Sequence, residues 1–343
     1  DSYLTENIGE TPTVSYEIES SPITQDQILT ERNVYYIILD GMMDIETAAQ
    51  SNIATKKEVL DNLSNTGLIY IDESISSYSS TYMTLASIMF IDNHHKPSSP
   101  KYFNRTNFFP AMMYKIRTEL PLISYLTKAN SSFIWTGNSW GACHTSNKVS
   151  CTNTRSDLSL NSLFKFYLTT PFPSIYYTLV SIFKKDTETG DAIDNFSKYI
   201  DKNGTPKIPF FSFIHNLSPH PPYVVTNECE PANYFKQNFA GYKASYQCAL
   251  KKVKIFMEKI NNIDPEAIVV FQADHGWNVL DFEEGTKEKY QIRGKIFNAI
   301  KAPEFCFDKY GLPQTSVNTI RFVLNCAYGF KLPYRKNIHY TFN

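Results

Sequence analysis

The sequence predicts an α/β fold built on a parallel sheet, and three stretches carry that expectation. Ala267-Ile268-Val269-Val270-Phe271-Gln272 is an apolar, β-branched run, the pattern of a strand buried on both faces, and it leads into Ala273-Asp274-His275-Gly276. Asn33 to Leu39 reads the same way and ends in Asp40-Gly41. Before the first of these runs, Gly241 to Ile263 places Tyr242, Tyr246, Ala249, Val253, Phe256 and Ile260 on one helical face, so that helix and strand form a βαβ-type crossover. Open α/β sheets hold their ligands in the crevice at the C-terminal ends of the strands. An acid therefore arrives there twice, once with an imidazole beside it, and Gly276 is read as the residue that lets the chain turn away. Adjacent Asp and His at a strand end also arise as purely structural hydrogen-bonding groups, so the rest of the chain decides.

With 42% hydrophobic and 20% charged residues the 343-residue chain is globular and long enough for a large core. Residues 1–31 are polar, carry Pro12 and Pro22, and read as an extended arm or linker; residues 32–343 are expected to form the catalytic domain. A formal net charge of −1 argues against a nucleic-acid partner, which selects for a basic face. Aromatic residues reach 15%, which suits a Tyr-rich core and also glycan or lipid contact. The six cysteines fall into three local pairs without CxxC or zinc-finger spacing. The pairing expected is Cys143–Cys151, Cys229–Cys248 and Cys306–Cys326, which belongs to an oxidising compartment. There is no signal peptide and no apolar run of transmembrane length, so a mature form or an excised soluble part is expected. Phe166 to Phe183 is uncharged but broken by Pro171 and Pro173; it reads as a loop and buried helix, or as a segment lying on a membrane surface.

Taken in order, Thr55 is expected to cap a helix to about Asn65 with Val59, Leu60 and Leu63 on one face, and Gly67 to Asp72 to form a strand. Ser74 to Ser80 is a hydroxyl-rich loop running into an apolar helix that begins near Thr81, with Ser79 and Ser80 as its caps. A helix N-terminus is an anion site, and a hydroxyl there is either a nucleophile or an ordinary cap. Helix is expected over Leu120–Asn130 and Val317–Tyr328, and strand over Ser132–Thr136 and Pro209–His215. Residues 186–207 read as polar and turn-rich. After His215 comes Ser218-Pro219-His220-Pro221-Pro222-Tyr223, in which prolines hold His220 rigidly outside any helix.

Three strand ends thus carry Asp40, His215 with His220 beyond it, and Asp274 with His275, and one helix start carries Thr81. Carboxylate oxygens with imidazole suit zinc or manganese. In these residues the chain resembles the alkaline phosphatase superfamily, in its sulfatase-like branch of phosphoethanolamine and phosphoglycerol transferases. The resemblance rests on Tyr35 to Gly41, Tyr78 to Ser87, His215 to Tyr223 and Gln272 to Gly276, with a looser match from Arg293 to Arg321, all in the family's order. It implies a three-layer sandwich, a mixed and mostly parallel sheet between helices. It implies one divalent metal, zinc first and manganese second, held by Asp40, Thr81, Asp274 and His275. Thr81 would be the nucleophile, His220 would contact the phosphoryl group or protonate the leaving oxygen, and Arg293 would bind substrate. His215 is open between substitute ligand, substrate contact and structural hydrogen bond; its strand-end position fits the last.

The chain departs from that pattern in three ways. No His lies between His275 and His339, where a second site would draw one. The Cys/Ser-x-Pro-x-Arg string of sulfatases is missing; Cys151-Thr152-Asn153-Thr154-Arg155 comes nearest, with Asn in place of Pro. The multi-span membrane region of the branch is not in the sequence. The resemblance implies a phosphotransferase in the periplasm or outside the cell, the soluble part of a membrane-anchored protein. It would take a phospholipid donor at a membrane surface and a glycan or lipid acceptor. The alternatives are a phosphodiesterase or phosphatase with water as acceptor, a sulfatase, and a non-catalytic binding module.

Overall fold

Strand β1 (Val34–Leu39) shows why both faces of the sheet are covered. Val34, Tyr36 and Ile38 enter one apolar cluster and Tyr35, Ile37 and Leu39 enter another, because successive strand side chains point to opposite faces. The computed structural model describes residues 32–93, 120–137, 149–152, 191–206, 209–234, 238–277 and 292–340. The arm expected over residues 1–31, the apolar stretch at 166–183 and Cys143 lie outside these.

Among the described residues the main sheet has seven strands. They are β1, β2 (Ile69–Tyr70), β3 (Ser132–Thr136), β4 (Val149–Thr152), β5 (Phe210–Asn216), β8 (Ile268–Gln272) and β9 (Asn298–Lys301), in the order β2-β9-β8-β1-β5-β3-β4. From β8 to β4 every pairing is parallel, and β9 runs antiparallel to β8 and to β2. The sheet is mixed and mostly parallel, as expected. β6 (Tyr223–Val225) and β7 (Pro231–Tyr234) form a separate two-stranded ribbon.

Helices cover both faces. α3 (Thr81–Phe90), α4 (Pro121–Lys128), α7 (Glu304–Tyr310) and α8 (Ser316–Tyr328) contribute to one core, and α1 (Ile45–Gln50), α2 (Lys56–Leu63), α5 (Ala192–Asn203) and α6 (Phe239–Ile263) to the other. The six residues predicted for the inner face of α6 are all buried. None of the described helices is long and apolar enough to cross a membrane.

Several expectations are corrected. Residues 192–203 are helical: Asp191 caps the first turn, and Ile193, Phe196 and Ile200 recur at helical spacing and are buried. Leu60 points outward while Val59 and Leu63 are buried. The strand expected over Gly67–Asp72 is confined to Ile69–Tyr70, an edge. Among the described residues two of the expected disulfides are present, Cys229–Cys248, which ties the β6–β7 ribbon to α6, and Cys306–Cys326, which ties α7 to α8, and Cys151 is disulfide-bonded as well.

Candidate metal and phosphoryl site

β1 and β8 are parallel neighbours with Ile38 opposite Gln272, so two residues further on Asp40 and Asp274 leave the sheet side by side. Both are buried, at 1% and 0% exposure. Asp274 Oδ1 accepts the N–H of Gly41 at 3.0 Å and of His275 at 2.9 Å. That fixes the carboxylate and turns Oδ2 inward. Gly41 holds a φ of +75°, where a side chain would be strained. Its carbonyl accepts from the Tyr242 hydroxyl at 2.8 Å, and that hydroxyl in turn accepts the Met43 N–H at 3.1 Å. α6 thereby anchors the turn that carries Asp40.

His275 is fixed by its own backbone: Nδ1–H donates to the Gly276 carbonyl at 2.8 Å, which leaves the Nε2 lone pair facing the crevice. Burial lowers the pKa of His275; Asp274 and Asp40 oppose the shift, Arg293 adds to it, and the net is a neutral imidazole. Gly276 is not required for a turn, as expected from sequence, but for a close approach. A Cβ there would stand 2.6 Å from the Lys295 carbonyl and 2.7 Å from that of Ile292. Its N–H donates to the Arg293 carbonyl, so Arg293 is held beside the site.

Thr81 opens α3, and its Oγ1 lies 3.3 Å from His275 Nε2, the hydroxyl donating to the ring. Asp40 Oδ1 and Asp274 Oδ2 lie 3.6 and 3.7 Å from the same nitrogen. Zinc bonds of ~2.0–2.2 Å in a tetrahedron would set ligand atoms ~3.3–3.6 Å apart. Asp40 Oδ1 and Asp274 Oδ2 are buried and accept no hydrogen bond. Orphaned buried acceptors cost about 1–3 kcal/mol each, so two of them aimed at one neutral imidazole fit a cation. Asp40, Asp274 and His275 form a buried group whose ligand atoms all lie within 4.8 Å of one another.

The remaining histidines differ in placement. His215 is buried behind the site, with Nε2 3.3 Å from Asp40 Oδ2, where it orients the carboxylate. Burial raises the pKa of Asp40, but His215, His220 and His275 outweigh it and hold the carboxyl below its usual value. His220 donates Nδ1–H to the Pro221 carbonyl at 2.7 Å, and its ring centroid lies 6.3 Å from that of His275. Its Nε2 is the atom left to meet a ligand.

The caps expected at Ser79 and Ser80 are not formed. Ser80 occupies the N-cap position, but no side chain caps the first turn of α3. The Ser79 hydroxyl instead meets His339 Nε2 at 3.0 Å. His339 is the neighbour sequence reasoning passed over, since only the fold brings residues 260 positions apart together.

A profile of the Sulfatase family matches residues 32–301. No curated protein sequence matches the chain. In structure it is similar to the C-terminal periplasmic domain of EcEptC from Escherichia coli, with 12% identity and a TM-score of 0.54 over 87% of this chain and 82% of that one. The same domain has also been solved in complex with Zn. It is similar as well to the C-terminal periplasmic domain of phosphoethanolamine transferase EptC from Campylobacter jejuni, at 12% identity and TM-score 0.52 over 88% and 91% of the two chains. A third likeness is the lipoteichoic acid synthase LtaP from Listeria monocytogenes, at 14% identity and TM-score 0.51 over 88% and 73%. With residues 32–301, about four-fifths of the chain, inside one family profile, the chain belongs to the sulfatase family of the alkaline phosphatase-like superfamily.

Proposed function

We propose that the chain is a metal-dependent phosphotransferase. It would move a phospho-headgroup of phosphoethanolamine or phosphoglycerol type from a lipid donor to a glycan or lipid acceptor, through a phospho-threonine at Thr81. The observation that carries this reading is the approach of the Thr81 hydroxyl to the one nitrogen on which Asp40 and Asp274 also converge. Asp40, Asp274, His275 and Thr81 would hold one divalent cation, zinc first and manganese second. When bound, that ion supplies Lewis acidity, favouring ionisation of a hydroxyl and withdrawing charge from a phosphoryl oxygen.

The chain's own groups account for the rest. The first turn of α3 carries no side-chain cap, and its N–H groups would bind the phosphoryl oxygens. Thr81 Oγ1, its proton lost to solvent beforehand, would react as the alkoxide, forming a bond to phosphorus as the bond from phosphorus to the lipid alcohol breaks, and would be released again as the alkoxide. His220, oriented by Pro221 and protonated, delivers a proton from Nε2 to the departing oxygen. In the second half the acceptor hydroxyl returns a proton to that nitrogen, attacks phosphorus and releases Thr81. Arg293 binds the donor's charge beside His275. His215 keeps Asp40 in position rather than meeting substrate.

A formylglycine sulfatase mechanism is disfavoured, because the chain carries no Cys/Ser-x-Pro-x-Arg string to convert. Disulfides such as Cys229–Cys248 and Cys306–Cys326 support a place outside the cytoplasm, in a periplasm or extracellular space, next to a membrane surface. The test is incubation of the metal-loaded protein with a radiolabelled phospholipid donor, with and without a glycan or lipid acceptor. Transfer predicts a labelled Thr81 peptide that is discharged when acceptor is added. Release of free phospho-headgroup at the same rate with or without acceptor would instead assign a phosphodiesterase.

A further inference from the structure

The hydroxyl-rich turn before Thr81 is held by the last described residues of the chain. His339 donates Nδ1–H to the Ser76 carbonyl at 2.7 Å and accepts the Ser79 hydroxyl on Nε2 at 3.0 Å. The N–H of Tyr340 donates to the Ser77 carbonyl at 2.9 Å, and the Tyr340 ring stacks on Tyr78 with centroids 5.2 Å apart. Gly294 presses against the same imidazole: a Cβ there would stand 3.0–3.1 Å from three ring atoms. The Gly294 carbonyl accepts the Ser76 N–H at 2.8 Å, so turn, tail and Arg293 segment form one joint.

The tail itself is anchored. Arg335 pairs with Asp92, at the end of α3, through Nε at 3.1 Å and Nη2 at 2.8 Å. Asn318 of α8 exchanges hydrogen bonds with the Arg335 backbone in both directions, at 2.7 and 2.8 Å. The tail therefore grips α3 at its far end and the turn at its start.

A helix start is ordinarily fixed by a side chain at the N-cap. Here Ser80 makes no such bond, and the neighbouring hydroxyl of Ser79 goes to His339. We propose that His339 is a positioning residue for Thr81: by holding both Ser76 and Ser79 it fixes where the first turn of α3 presents its hydroxyl to Asp40, Asp274 and His275. The inference rests on the reading of Thr81 as nucleophile. His339 meets none of the atoms assigned to the reaction in the contacts described and acts through the turn.

The test compares wild type, His339→Ala, His339→Gln, Ser79→Ala and the Ser79→Ala/His339→Ala pair in the full chain. It uses bis(p-nitrophenyl) phosphate as probe and hydrogen exchange over residues 76–84. A nucleophile displaced by about 1 Å loses roughly 100-fold, so His339→Ala is expected to lower kcat by about 10–100-fold while KM and metal stoichiometry stay within about twofold. Exchange should quicken over 76–84 and not in α8. His339→Gln, which keeps a donor and an acceptor, should recover part of kcat. The paired variant should fall no further than His339→Ala, since the two side chains act as one unit. Unchanged exchange over 76–84, additive losses, or loss of kcat together with metal and exchange protection throughout the chain would each overturn the proposal. So would a phosphate trapped on Ser79 in wild type, which would make His339 its base. Exchange reads the joint even if wild type proves inactive on the probe, so failure of the Thr81 reading is told apart from failure of the joint.

Discussion

The two halves of the site are built on different principles. Asp40, Asp274 and His275 leave neighbouring parallel strands whose register places them together; backbone groups steady Asp274 and His275, and the His215 side chain of the next strand lies against Asp40. Thr81 rides on a turn that forms no named strand and has no local cap. Its partners come from far along the chain: the Gln314 carbonyl for the Ile75 N–H, the Gly294 carbonyl for the Ser76 N–H and Tyr340 for Ser77. One half is dictated by sheet geometry, while the other depends on three distant segments meeting. On the proposed assignment, the position of Thr81 is thus the adjustable coordinate of the site and the strand-end acids and histidine its fixed frame.

The largest expected effect comes from removing the adjustable half. Thr81→Ala should lower turnover of a phosphodiester by roughly 10⁴–10⁶-fold, the scale seen when a nucleophile is deleted, while the fold is kept. Near wild-type turnover in steady-state assays would end the assignment. A smaller effect probes the frame from behind. His215→Gln should weaken metal affinity by about 10–100-fold, because partners that orient a ligand carry that much of the binding. Competition titration against a fluorescent chelator measures it; unchanged affinity would mean that Asp40 needs no outside support. The smallest effect lies at the seam between the halves. Gly276→Ala forces a Cβ within 2.7 Å of two carbonyls, and the backbone shift should cost about 1–3 kcal/mol, read as a lowered Tm and a weakened metal site together. A lowered Tm with an intact metal site would show that the two halves move independently.

The same division explains what could be read from sequence. The apolar runs into Asp40 and into Asp274-His275 are local patterns, and their parallel pairing follows from burial on both faces. α6 was legible because its apolar face repeats over 25 residues. α5 was not, because a 12-residue helix in a polar stretch buries only Ala192, Ile193, Phe196 and Ile200. β9 is not legible because it is short and carries the buried Asn298, whose side-chain NH2 donates to the Ser74 hydroxyl and the Pro313 carbonyl, partners set by the fold rather than by any pattern within the strand. α3 starts at Thr81 as the sequence predicts, and Ser80 sits at its N-cap position, but neither Ser79 nor Ser80 caps the first turn with its hydroxyl. The partner of Ser76 and Ser79, His339, lies 260 or more residues away, and no spacing rule reaches that far.

Metal stoichiometry by native mass spectrometry tests the central claim most directly, with zinc or manganese titrated into wild type and Asp274→Ala. Asp274 Oδ2 has no other partner, and its Oδ1 also holds Gly41 beside Asp40, so its removal opens the frame at two points. The account predicts one tightly held ion per chain in wild type and none retained by Asp274→Ala. An equivalent of metal held as tightly by Asp274→Ala as by wild type would contradict it.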